Sequence, residues 1–513
     1  MSWATVGTSY DNSNYDKSSY HSRVTLPKPA LLHDRDRPWA TLADFATSRA
    51  PGAQLALVYG RRRQGKTLML ELLAQATGGF LFTGLPQAGP LNLRRLARAY
   101  AAYVDGPVPA FADWEQAIDH LLRLGERGEG PTLIVLDEFP YLIESEPALP
   151  SILQIALEPL SRARTRGRAR LVLCGSALHV MRGLLAGAAP LRGRADYEIM
   201  VHPFGFRDAA EFWGVARDPE LAFQVHALLG GTPAYRSMSG EPPAGLAEFD
   251  AWVAGGPLNS DRAVYREGAV LLHEEPSLSD MGLYYAVLST IAQGACRQGE
   301  IAGVLGRTNN TLAHPLAVLE QTQLVERVDD AFRQRRPVYR IAEPVLRLHQ
   351  LLIAPNEADL VGGAASRVWH DHQDTVRSKI YGPHFEELAR QWCLWHAVPE
   401  TLGGRPSLVQ SATVACAQHR QGHELDIVVS RKRPGQGIVV LAMGEAKSTV
   451  AAVGVRELER LEHLRDLIPS DRFEAPPRLL LFSRSGFTTD LHAAATTRPD
   501  VDLIDLARLY QGS

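Results

Sequence analysis

The sequence predicts an α/β protein in which a parallel sheet with helices on both faces is followed by a winged helix-turn-helix and a smaller α/β domain. Three observations predict this order. Short apolar segments alternate with helical segments between about residues 35 and 240, which is typical of a parallel sheet. Three short helical segments and two strands then occupy 281–345. The alternation of strands and helices resumes from about residue 379.

The composition limits the class of protein. The chain has 513 residues, of which 45% are hydrophobic and 22% charged, so it is long enough for about three ordinary globular domains. Its net charge of −3 gives no overall attraction to nucleic acid, so any basic surface must be local. The four cysteines form no C-x-x-C pair, which argues against a disulfide framework or a zinc knuckle and predicts a reducing, cytoplasmic location.

The sequence also predicts where the chain divides. No run of about 18 apolar residues occurs, so no membrane span is expected. The first segment is polar and rich in Ser, Asn and Tyr, which predicts a flexible arm rather than a signal peptide. The predicted parts are a flexible arm at 1–30, a first α/β domain at 31–205, a helical lid at 206–275, a winged helix at 276–350, a linker at 351–378 and a second, smaller α/β domain at 379–513.

Five strands and one clear helix are expected in the first domain. The strands are predicted at 55–60, 79–84, 132–138, 170–176 and 197–204, and the helix at 67–76. Two polar segments, 126–131 and 162–170, are predicted to be loops.

One segment has the pattern of a phosphate-binding loop. LALVYGRRRQGKTLML places Gly60, Gly65, Lys66 and Thr67 at the spacing G-x-x-x-x-G-K-[ST], with an apolar strand before it and an amphipathic helix after it. Glycines let backbone N–H groups curl around phosphate oxygens, and the helix directs its positive end at them. Lys66 is expected to neutralise the β and γ oxygens, and the Thr67 hydroxyl to bind Mg²⁺. The predicted ATP contacts are Gly60, Arg61, Arg62, Arg63, Gln64, Gly65, Lys66, Thr67, Leu68, Asp137 and Ser176.

The segment LIVLDEFPYL supplies two carboxylates at the end of an apolar strand. Asp137 is expected to hold Mg²⁺ through water, at the sheet edge where ligands bind in such folds. Glu138 is placed to polarise the attacking water as a catalytic residue. Ser176 ends a further strand, where its hydroxyl either contacts the γ-phosphate or caps the following helix.

These segments together resemble the archaeal-type ATPase family of AAA+/STAND-related P-loop proteins. The resemblance covers about 35–240 and rests on GRRRQGKT, LDEFPYL, CGSALHVM, PLRGR and GGTPAY. It implies that Arg194, or its neighbour Arg192, contacts the γ-phosphate, and that GGTPAY is a turn of the lid. A surface charge cluster is the alternative for these arginines. The sequence departs from the family at RDRPWATL, where Pro38 or Trp39 stands at an acidic position, so no contact with the nucleotide base is assigned.

Residues 281–345 predict a DNA-binding winged helix. Its second helix would end near Leu305, and the third would begin near Asn309 and enter a major groove. The side chains expected to face the groove are Asn309, Asn310, Thr311 and His314. The arginines expected to meet phosphates at the tip of the wing are Arg333, Arg335 and Arg336. The alternative is a packing or partner module whose arginines are only solvated.

The last domain contains an unusual lysine. Only six of the 54 basic residues are lysine, and one of them, Lys447, ends the strand segment VVLAMGEAK. Positions i and i+2 of a strand share a face, so Glu445 and Lys447 emerge together, and Asp426 on the adjacent strand can join them. The two carboxylates predict a Mg²⁺ or Mn²⁺ site, where Lys447 would position a water or neutralise developing charge. The alternative is a cross-strand ion pair on an ordinary sheet face.

This D…E-x-K arrangement lies within an order of helix, three strands, helix and strand. It resembles the PD-(D/E)xK, restriction-endonuclease-like superfamily. The resemblance implies a metal-dependent DNA endonuclease site in which Asp426, Glu445 and Lys447 are catalytic. It also implies an acidic metal ligand from the first helix, where HFEELARQW offers Glu386, with Glu387 as its neighbour. Glu424 is expected to assist, because it shares a strand face with Asp426.

The sequence therefore predicts an ATP-binding and ATP-hydrolysing protein that acts on double-stranded DNA, which its C-terminal domain cuts or grips. The resemblances imply defence against foreign DNA or the handling of mobile elements. The alternative is a nucleotide-switched signalling or scaffold ATPase whose winged helix and last domain bind protein partners. A translocase or helicase has no further motif in its favour, and the sequence leaves a homo-oligomer open.

Overall fold

The computed structural model describes residues 26–273, 280–333, 336–416, 421–433 and 437–513. Most of the arm predicted at 1–30, and Arg335 of the predicted wing tip, lie outside the described residues. Within the described part of the chain, no helix combines the length and the apolar character needed to cross a membrane.

The first domain contains the predicted parallel sheet. Its five strands pair in the order β2-β3-β4-β1-β5, and every pairing is parallel. Because the strands are parallel, their carboxyl ends meet at one edge of the sheet. β4 lies between β1 and β3, so the segments that follow these three strands are neighbours at that edge. The strands are β1 Gln54–Tyr59, β2 Phe80–Thr83, β3 Thr132–Asp137, β4 Ala169–Gly175 and β5 Tyr197–Met200.

Helices cover both faces of this sheet, which explains why its strands are apolar along their length rather than alternating. Along β1, Leu55 and Leu57 pack into one core, and Ala56 and Val58 pack into the core on the other face. The segment 162–170, expected to be a loop, begins with a short helix. The helices are α1 Asp36–Thr47, α2 Lys66–Thr77, α3 Gly89–Val104, α4 Trp114–Arg123, α5 Phe139–Ser145, α6 Leu149–Ala156, α7 Arg162–Arg166 and α8 Leu178–Gly183.

The middle of the chain is helical apart from one hairpin. The strands β6 Val325–Val328 and β7 Val338–Ile341 pair antiparallel after three short helices, as the sequence pattern predicted. The helices before the hairpin are α9 Phe206–Trp213, α10 Pro219–Leu229, α11 Ala234–Ser239, α12 Leu246–Gly255, α13 Glu267–His273, α14 Met281–Ala292, α15 Gln298–Val304 and α16 Asn309–Gln321.

Residues 351–378, expected to be a linker, form a packed helical segment instead. Leu360, Trp369 and Val376 are buried in the same hydrophobic core as the lid. The indole N–H of Trp369 donates to a carboxylate oxygen of Asp250 at 2.7 Å. The helices are α17 Pro344–Leu348, α18 Glu357–Val361, α19 Ala365–Asp371 and α20 Gln373–Thr375, with π-helical turns at His349–Ile353 and Val376–Tyr381.

A second five-stranded sheet lies at the end of the chain, in the order β12-β11-β10-β9-β8. β8, β9 and β10 pair antiparallel, whereas β10, β11 and β12 pair parallel. The strands are β8 Leu408–Cys416, β9 Gln421–Arg433, β10 Gly437–Lys447, β11 Arg478–Ser483 and β12 Val501–Asp505. The helices are α21 Gly382–Trp395, α22 Pro399–Leu402, α23 Val455–Asp466, α24 Thr489–Thr496 and α25 Leu506–Gln511.

The lid, the middle module and one face of the second sheet share a single hydrophobic core. Phe223 of α10 packs edge-on against Phe385 of α21, with ring centroids 5.8 Å apart. Arg207 of α9 donates to the backbone oxygens of Leu509 and Gly512 at 2.6–3.1 Å. The parts of the chain after residue 205 therefore form one packed body, although the sequence pattern divides them.

Candidate functional site

The loop between β1 and α2 has the backbone that a phosphate-binding loop requires. A Cβ atom on Gly60 would lie 2.2 Å from the carbonyl oxygen of Val201, so no larger residue fits there. Gly65 has a φ of 83°, in the left-handed region that glycine adopts at little cost, and has nothing within 4 Å on its side-chain side. The loop therefore opens to solvent directly before the first turn of α2.

Lys66 and Thr67 lie where the phosphates and their cation would bind. The Lys66 ammonium group is buried and donates to the carbonyl oxygens of Gly60 and Arg61 at 2.7 and 2.8 Å. Burial lowers the pKa of Lys66, and the nearby acidic groups oppose this shift. The Thr67 hydroxyl donates to Asp137 Oδ2 at 2.8 Å, so α2 and β3 bring together the two predicted Mg²⁺ ligands. Leu68 is 38% exposed and does not line the cleft over the loop.

Glu138 and Ser176 meet beside this pair. Glu138 has a φ of 48°, a left-handed backbone that turns its side chain out of the strand direction. The Ser176 hydroxyl donates to Glu138 Oε2 at 3.2 Å. Burial, followed by the Asp137 charge, raises the pKa of Glu138. Ser176 does not cap α8, whose N-cap residue is Ala177 without a side-chain cap, and the predicted contact of its hydroxyl with the γ-phosphate stays a prediction.

The side chains between the two glycines of the loop differ in where they lie. Arg62 stays at the cleft, where it donates to the Tyr141 hydroxyl at 2.5 Å and to Ser176 Oγ at 3.4 Å. Arg63 lines the cleft and forms an ion pair with Glu267 of α13 at 3.0 Å. Tyr141 was missed by the sequence analysis, because nothing in LDEFPYL distinguishes its hydroxyl from that of an ordinary surface tyrosine.

Arg61 and Gln64 were predicted to contact ATP, but their side chains are buried away from the cleft. Arg61 forms an ion pair with Glu343 and donates to the backbone oxygen of Gln323 at 3.2 Å. The backbone oxygen of Gln64 accepts a hydrogen bond from Arg35 at 3.2 Å. Neither residue lines the cleft that contains Lys66 and Thr67, and their contacts with ATP stay a prediction.

An open cleft of about 620 Å³ lies over the loop. The lid contributes Pro233 and Ala234, from the predicted GGTPAY turn, and α5 contributes Tyr141. The cleft contains a buried ammonium, a hydroxyl paired with a carboxylate and a second carboxylate. These groups match the phosphates of a nucleoside triphosphate and an octahedral Mg²⁺ ion.

Arg194 was predicted to contact the γ-phosphate, but the structure does not bring it to the loop. It precedes β5, whose first residue pairs with Ala56 near the amino end of β1, and the loop follows the carboxyl end. Its backbone oxygen accepts from Arg164 at 3.1 Å. Arg192 is exposed and donates to the carbonyl oxygen of Gly187. The prediction that an arginine of this segment contacts the γ-phosphate bound to the same chain is therefore wrong. The parallel strand order places the segment at the opposite edge of the sheet.

A second group of charged residues lies on β9 and β10. The antiparallel register pairs Gly444 with Ile427, so the next pair along the ladder is Glu445 with Asp426. Lys447 lies 2.5 Å from Glu445 Oε1, and the backbone N–H of Ala446 donates to Asp426 Oδ2 at 3.0 Å. The two carboxylates and the lysine therefore meet on adjacent strands, as the sequence predicted from strand alternation.

The protonation of these groups reflects their crowding. Burial raises the pKa of Asp426 to about 6, and the Glu445 carboxylate adds to the rise. Burial lowers the pKa of Lys447, but Glu445 and Asp426 raise it by more, so the shift is upward. A divalent cation would relieve the repulsion between two carboxylates of this kind.

Helix α21 contributes less than expected to a metal site. Glu386 lines a cavity of about 290 Å³ together with Asp426, and burial and the Asp426 charge raise its pKa to about 7. The oxygens of Glu386, Asp426 and Glu445 do not all lie within 4.8 Å of one another, so Glu386 is not a third ligand in this conformation. Glu387 pairs with Arg390 at 2.9 Å and does not line the cavity.

Arg460 of α23 completes this group and was missed by the sequence analysis. It lies 2.5 Å from Glu445 Oε2 and donates to the backbone oxygen of Glu424 at 2.9 Å. The leucine spacing of α23 could have indicated this residue. Leu458 and Leu461 face the sheet, which places residue 460 at the border of the buried face of the helix. The Glu424 side chain is exposed and lies 3.6 Å from Arg297.

The middle module presents its third helix to solvent. The side chains of Asn309, Asn310, Thr311 and His314 are all exposed at the start of α16, as expected for a groove-facing helix. The segment after β6 is not free, because the Asp330 carboxylate accepts from the backbone of Thr413 at 2.9 Å and Ala331 N–H donates to Ser411. The tip of the hairpin thus lies against β8, and Arg333 and Arg336 flank that contact in the sequence.

The strand order and the loop chemistry define the class of this protein. The parallel five-stranded sheet of its N-terminal domain is consistent with a P-loop ATPase fold, with the Gly60–Thr67 loop after β1, an acidic pair after β3 and a polar residue after the intervening β4.

Comparison with known proteins gives distant similarities. No family model matches the chain. The chain is 24% identical over 314 residues to the uncharacterized protein MJECL04 of Methanocaldococcus jannaschii, a match that covers 59% of this chain and 65% of that protein. The chain therefore covers slightly less than two thirds of that relative's length.

Solved structures with partial similarity include three archaeal proteins. The Walker-type ATPase PABY2304 of Pyrococcus abyssi is 20% identical, with a TM-score of 0.43 over 58% of this chain and 90% of that one. The ORC2 protein of Aeropyrum pernix in its ADPNP–ADP complexes is 14% identical, with a TM-score of 0.37 over 63% of this chain and 89% of that one. The ORC1 protein of Aeropyrum pernix in complex with DNA is 18% identical, with a TM-score of 0.28 over 65% and 95%.

Proposed function

We propose that this protein is an ATPase that acts on double-stranded DNA and cleaves or grips it with its C-terminal domain. The observation that carries the first half is the meeting of Lys66, Thr67 and Glu138 in one open cleft, where the Thr67 hydroxyl also donates to the buried Asp137 carboxylate. These residues come from the start of α2 and the carboxyl end of β3, two elements that are far apart in the sequence.

The residues of the cleft have separate roles in this proposal. Lys66 exchanges its loop carbonyl partners for phosphate oxygens, and backbone N–H groups of the loop hold the remaining phosphates. Thr67 and Asp137 would hold Mg²⁺, which stabilises negative charge on the transferred phosphoryl group. Glu138 orients the attacking water and accepts its proton, and Ser176 fixes the Glu138 carboxylate through their hydrogen bond.

The second half of the proposal concerns the carboxylates of β9 and β10. Asp426 and Glu445 would hold Mg²⁺ or Mn²⁺, which lowers the pKa of a bound water and stabilises charge on a phosphodiester. Lys447 would orient that water or the scissile phosphate, because a compact ammonium can approach one oxygen closely. The cavity beside them is lined by Arg297 and Arg340, which add positive charge for a polynucleotide backbone.

ATP hydrolysis tests the first half. Glu138→Gln should lower kcat at least a hundredfold while ATP still binds, and Lys66→Ala should weaken binding itself. Glu115→Gln, on the exposed side of α4, is the matched control and should leave both unchanged. Equal rates of hydrolysis in Glu138→Gln and the control would contradict the assigned role.

Plasmid cleavage tests the second half. Supercoiled plasmid is incubated with protein and Mg²⁺ or Mn²⁺, with and without ATP, beside Asp426→Ala and Lys447→Ala. Metal-dependent nicking should be lost in both variants and kept in Lys432→Ala, an exposed lysine of β9. Nicking that survives in Asp426→Ala would point to a contaminating nuclease.

The alternative is a nucleotide-switched scaffold whose middle module and last domain bind protein. One observation favours it: the phosphate loop contacts the middle module directly through Arg61, and the hairpin tip is docked on β8. Under this alternative neither metal-dependent nicking nor salt-sensitive DNA binding occurs, whereas ATP still changes the conformation.

A further inference from the structure

A group of metal-binding side chains lies in the last domain, apart from the carboxylates. One candidate ligand atom from each of Cys416, His423 and His463 lies within 4.8 Å of the other two. Cys416 ends β8, His423 lies on β9 and His463 lies on α23. Three different elements therefore meet at this point, all from residues that the structure describes.

The strand register explains how the first two side chains meet. Val414 of β8 is paired with His423, and Cys416 lies two residues beyond Val414 on the same face. That face packs on α23, because Val414 shares a core with Leu461 and Leu464. His463 lies between these two leucines in the sequence, on the helix that packs against this face of the strand pair.

The distances fit a tetrahedral zinc site. Cys416 Sγ lies 3.5 Å from His463 Nε2. Zn–S and Zn–N bonds of about 2.3 and 2.05 Å at a tetrahedral angle place sulfur and nitrogen about 3.5 Å apart. The two imidazole rings are nearly perpendicular, at 87°, with centroids 6.3 Å apart. All three donor atoms lie within 4.8 Å of one another, and both histidines are only half-buried.

We propose that Cys416, His423 and His463 bind one zinc ion. One thiolate and two imidazoles form a donor set that favours Zn²⁺ over Mg²⁺, which requires oxygen ligands. The ion joins the β8–β9 pair to α23. Since α23 carries Arg460, which contacts Glu445 and the backbone of Glu424, the ion also fixes the helix that borders the carboxylate group. This proposal does not depend on DNA cleavage.

Cobalt binding tests the site, because Co²⁺ accepts the same tetrahedral donors and is coloured. The full chain is freed of metal with a chelator, exchanged into clean buffer and titrated with Co²⁺. The expected result is a thiolate-to-cobalt charge-transfer band with strong visible bands, which saturates at one equivalent and is abolished by added Zn²⁺. Co²⁺ bound by carboxylates or by Thr67 gives no thiolate band, so the two other cation sites do not interfere.

Variants assign the ligands. Cys416→Ser should abolish the charge-transfer band, and His463→Gln should weaken Co²⁺ binding at least tenfold. Cys296→Ser removes a thiol outside the group and should bind like the wild type. Zn²⁺ should also raise the melting temperature of the wild type and not that of Cys416→Ser. Absence of the thiolate band in the wild type, or its survival in Cys416→Ser, would overturn the proposal and leave a thiol–imidazole hydrogen bond.

Discussion

Arg61, in the phosphate loop, forms a buried ion pair with Glu343, the residue directly before α17. Both side chains are nearly inaccessible to solvent, and Arg61 also donates to the backbone oxygen of Gln323, just before β6. The middle module is therefore attached to the loop that is expected to move when phosphates bind. We therefore expect a change in the position of residue 61 to act on both ends of the β6–β7 hairpin.

Glu343→Gln should destabilise the protein by about 3 kcal/mol, because it leaves the Arg61 guanidinium buried without a charged partner. Urea unfolding monitored by fluorescence measures the loss. Glu300→Gln, which breaks the exposed pair with Arg297, is the matched control and should cost less than about 1 kcal/mol. Replacing both members of the buried pair with methionine should recover much of the loss. An equal cost in the variant and the control would mean that the buried pair contributes nothing.

Asp330→Ala should release the hairpin tip from β8. The Asp330 carboxylate accepts three backbone N–H groups, from Phe332, Arg333 and Thr413, each at 2.9 Å. We expect the loss of these three hydrogen bonds to a charged acceptor to lower the stability of the local structure by about 2 kcal/mol. Amide exchange across 329–333 should therefore become roughly 10- to 30-fold faster.

Hydrogen exchange read by mass spectrometry measures this release. Asp329→Ala is the control, since its carboxylate pairs with Arg327 at the exposed surface. Unchanged exchange in Asp330→Ala would show that the contact of Ala331 with Ser411, and not the carboxylate, holds the tip.

Local patterns were predictable from the sequence, because they depend on residues that are close together along the chain. The phosphate loop needs Gly60, Gly65 and Lys66 within a few residues, so spacing alone identified it. Strand alternation likewise placed Glu445 beside Lys447, and the observed register brings Asp426 next to them. Each of these features follows from the geometry of one or two adjacent elements.

Partners from distant segments were not predictable. Glu343 is 282 residues from Arg61, and no pattern in either segment indicates the other. The sequence argued against a zinc knuckle because it has no C-x-x-C pair, but a single cysteine can meet histidines from two other elements. The prediction for Arg194 was wrong for a different reason. The resemblance rests on the order of segments along the chain, and that order does not show at which edge of the sheet Arg194 lies.

Gly60→Ala should disable the phosphate loop without unfolding the domain. Its new Cβ would lie 2.2 Å from the carbonyl oxygen of Val201, which is backbone and cannot rotate away, so the loop must shift. Overpacking of this kind costs about 2 kcal/mol, and ATP affinity should fall at least tenfold. Titration with a fluorescent ATP analogue measures it. Gly183→Ala, which has nothing within 4 Å, is the control and should bind normally.

Acid should loosen the packing of the lid on the C-terminal domain. His226 Nδ1 of α10 lies 2.9 Å from His384 Nε2 of α21, and both rings are buried. Burial lowers the pKa of His226 to about 4 and that of His384 well below its usual value. Between about pH 6.5 and pH 4 the unfolded chain therefore binds protons that the folded chain does not, so stability is present above pH 6.5 and falls as the pH falls.

At pH 5 the loss from His226 alone is about 2 kcal/mol relative to neutral pH, from a reference pKa of 6.5. Urea unfolding at pH 7.5 and pH 5.0 measures it. The double variant His226→Leu/His384→Leu removes both titrating groups and leaves no orphaned ring, so its stability should change less between the two pH values than that of the wild type. His120→Gln, at a partly exposed histidine of α4, should keep the full wild-type difference. If the double variant loses as much stability as the wild type, acid acts elsewhere and the histidine contact is not what makes this interface sensitive to pH.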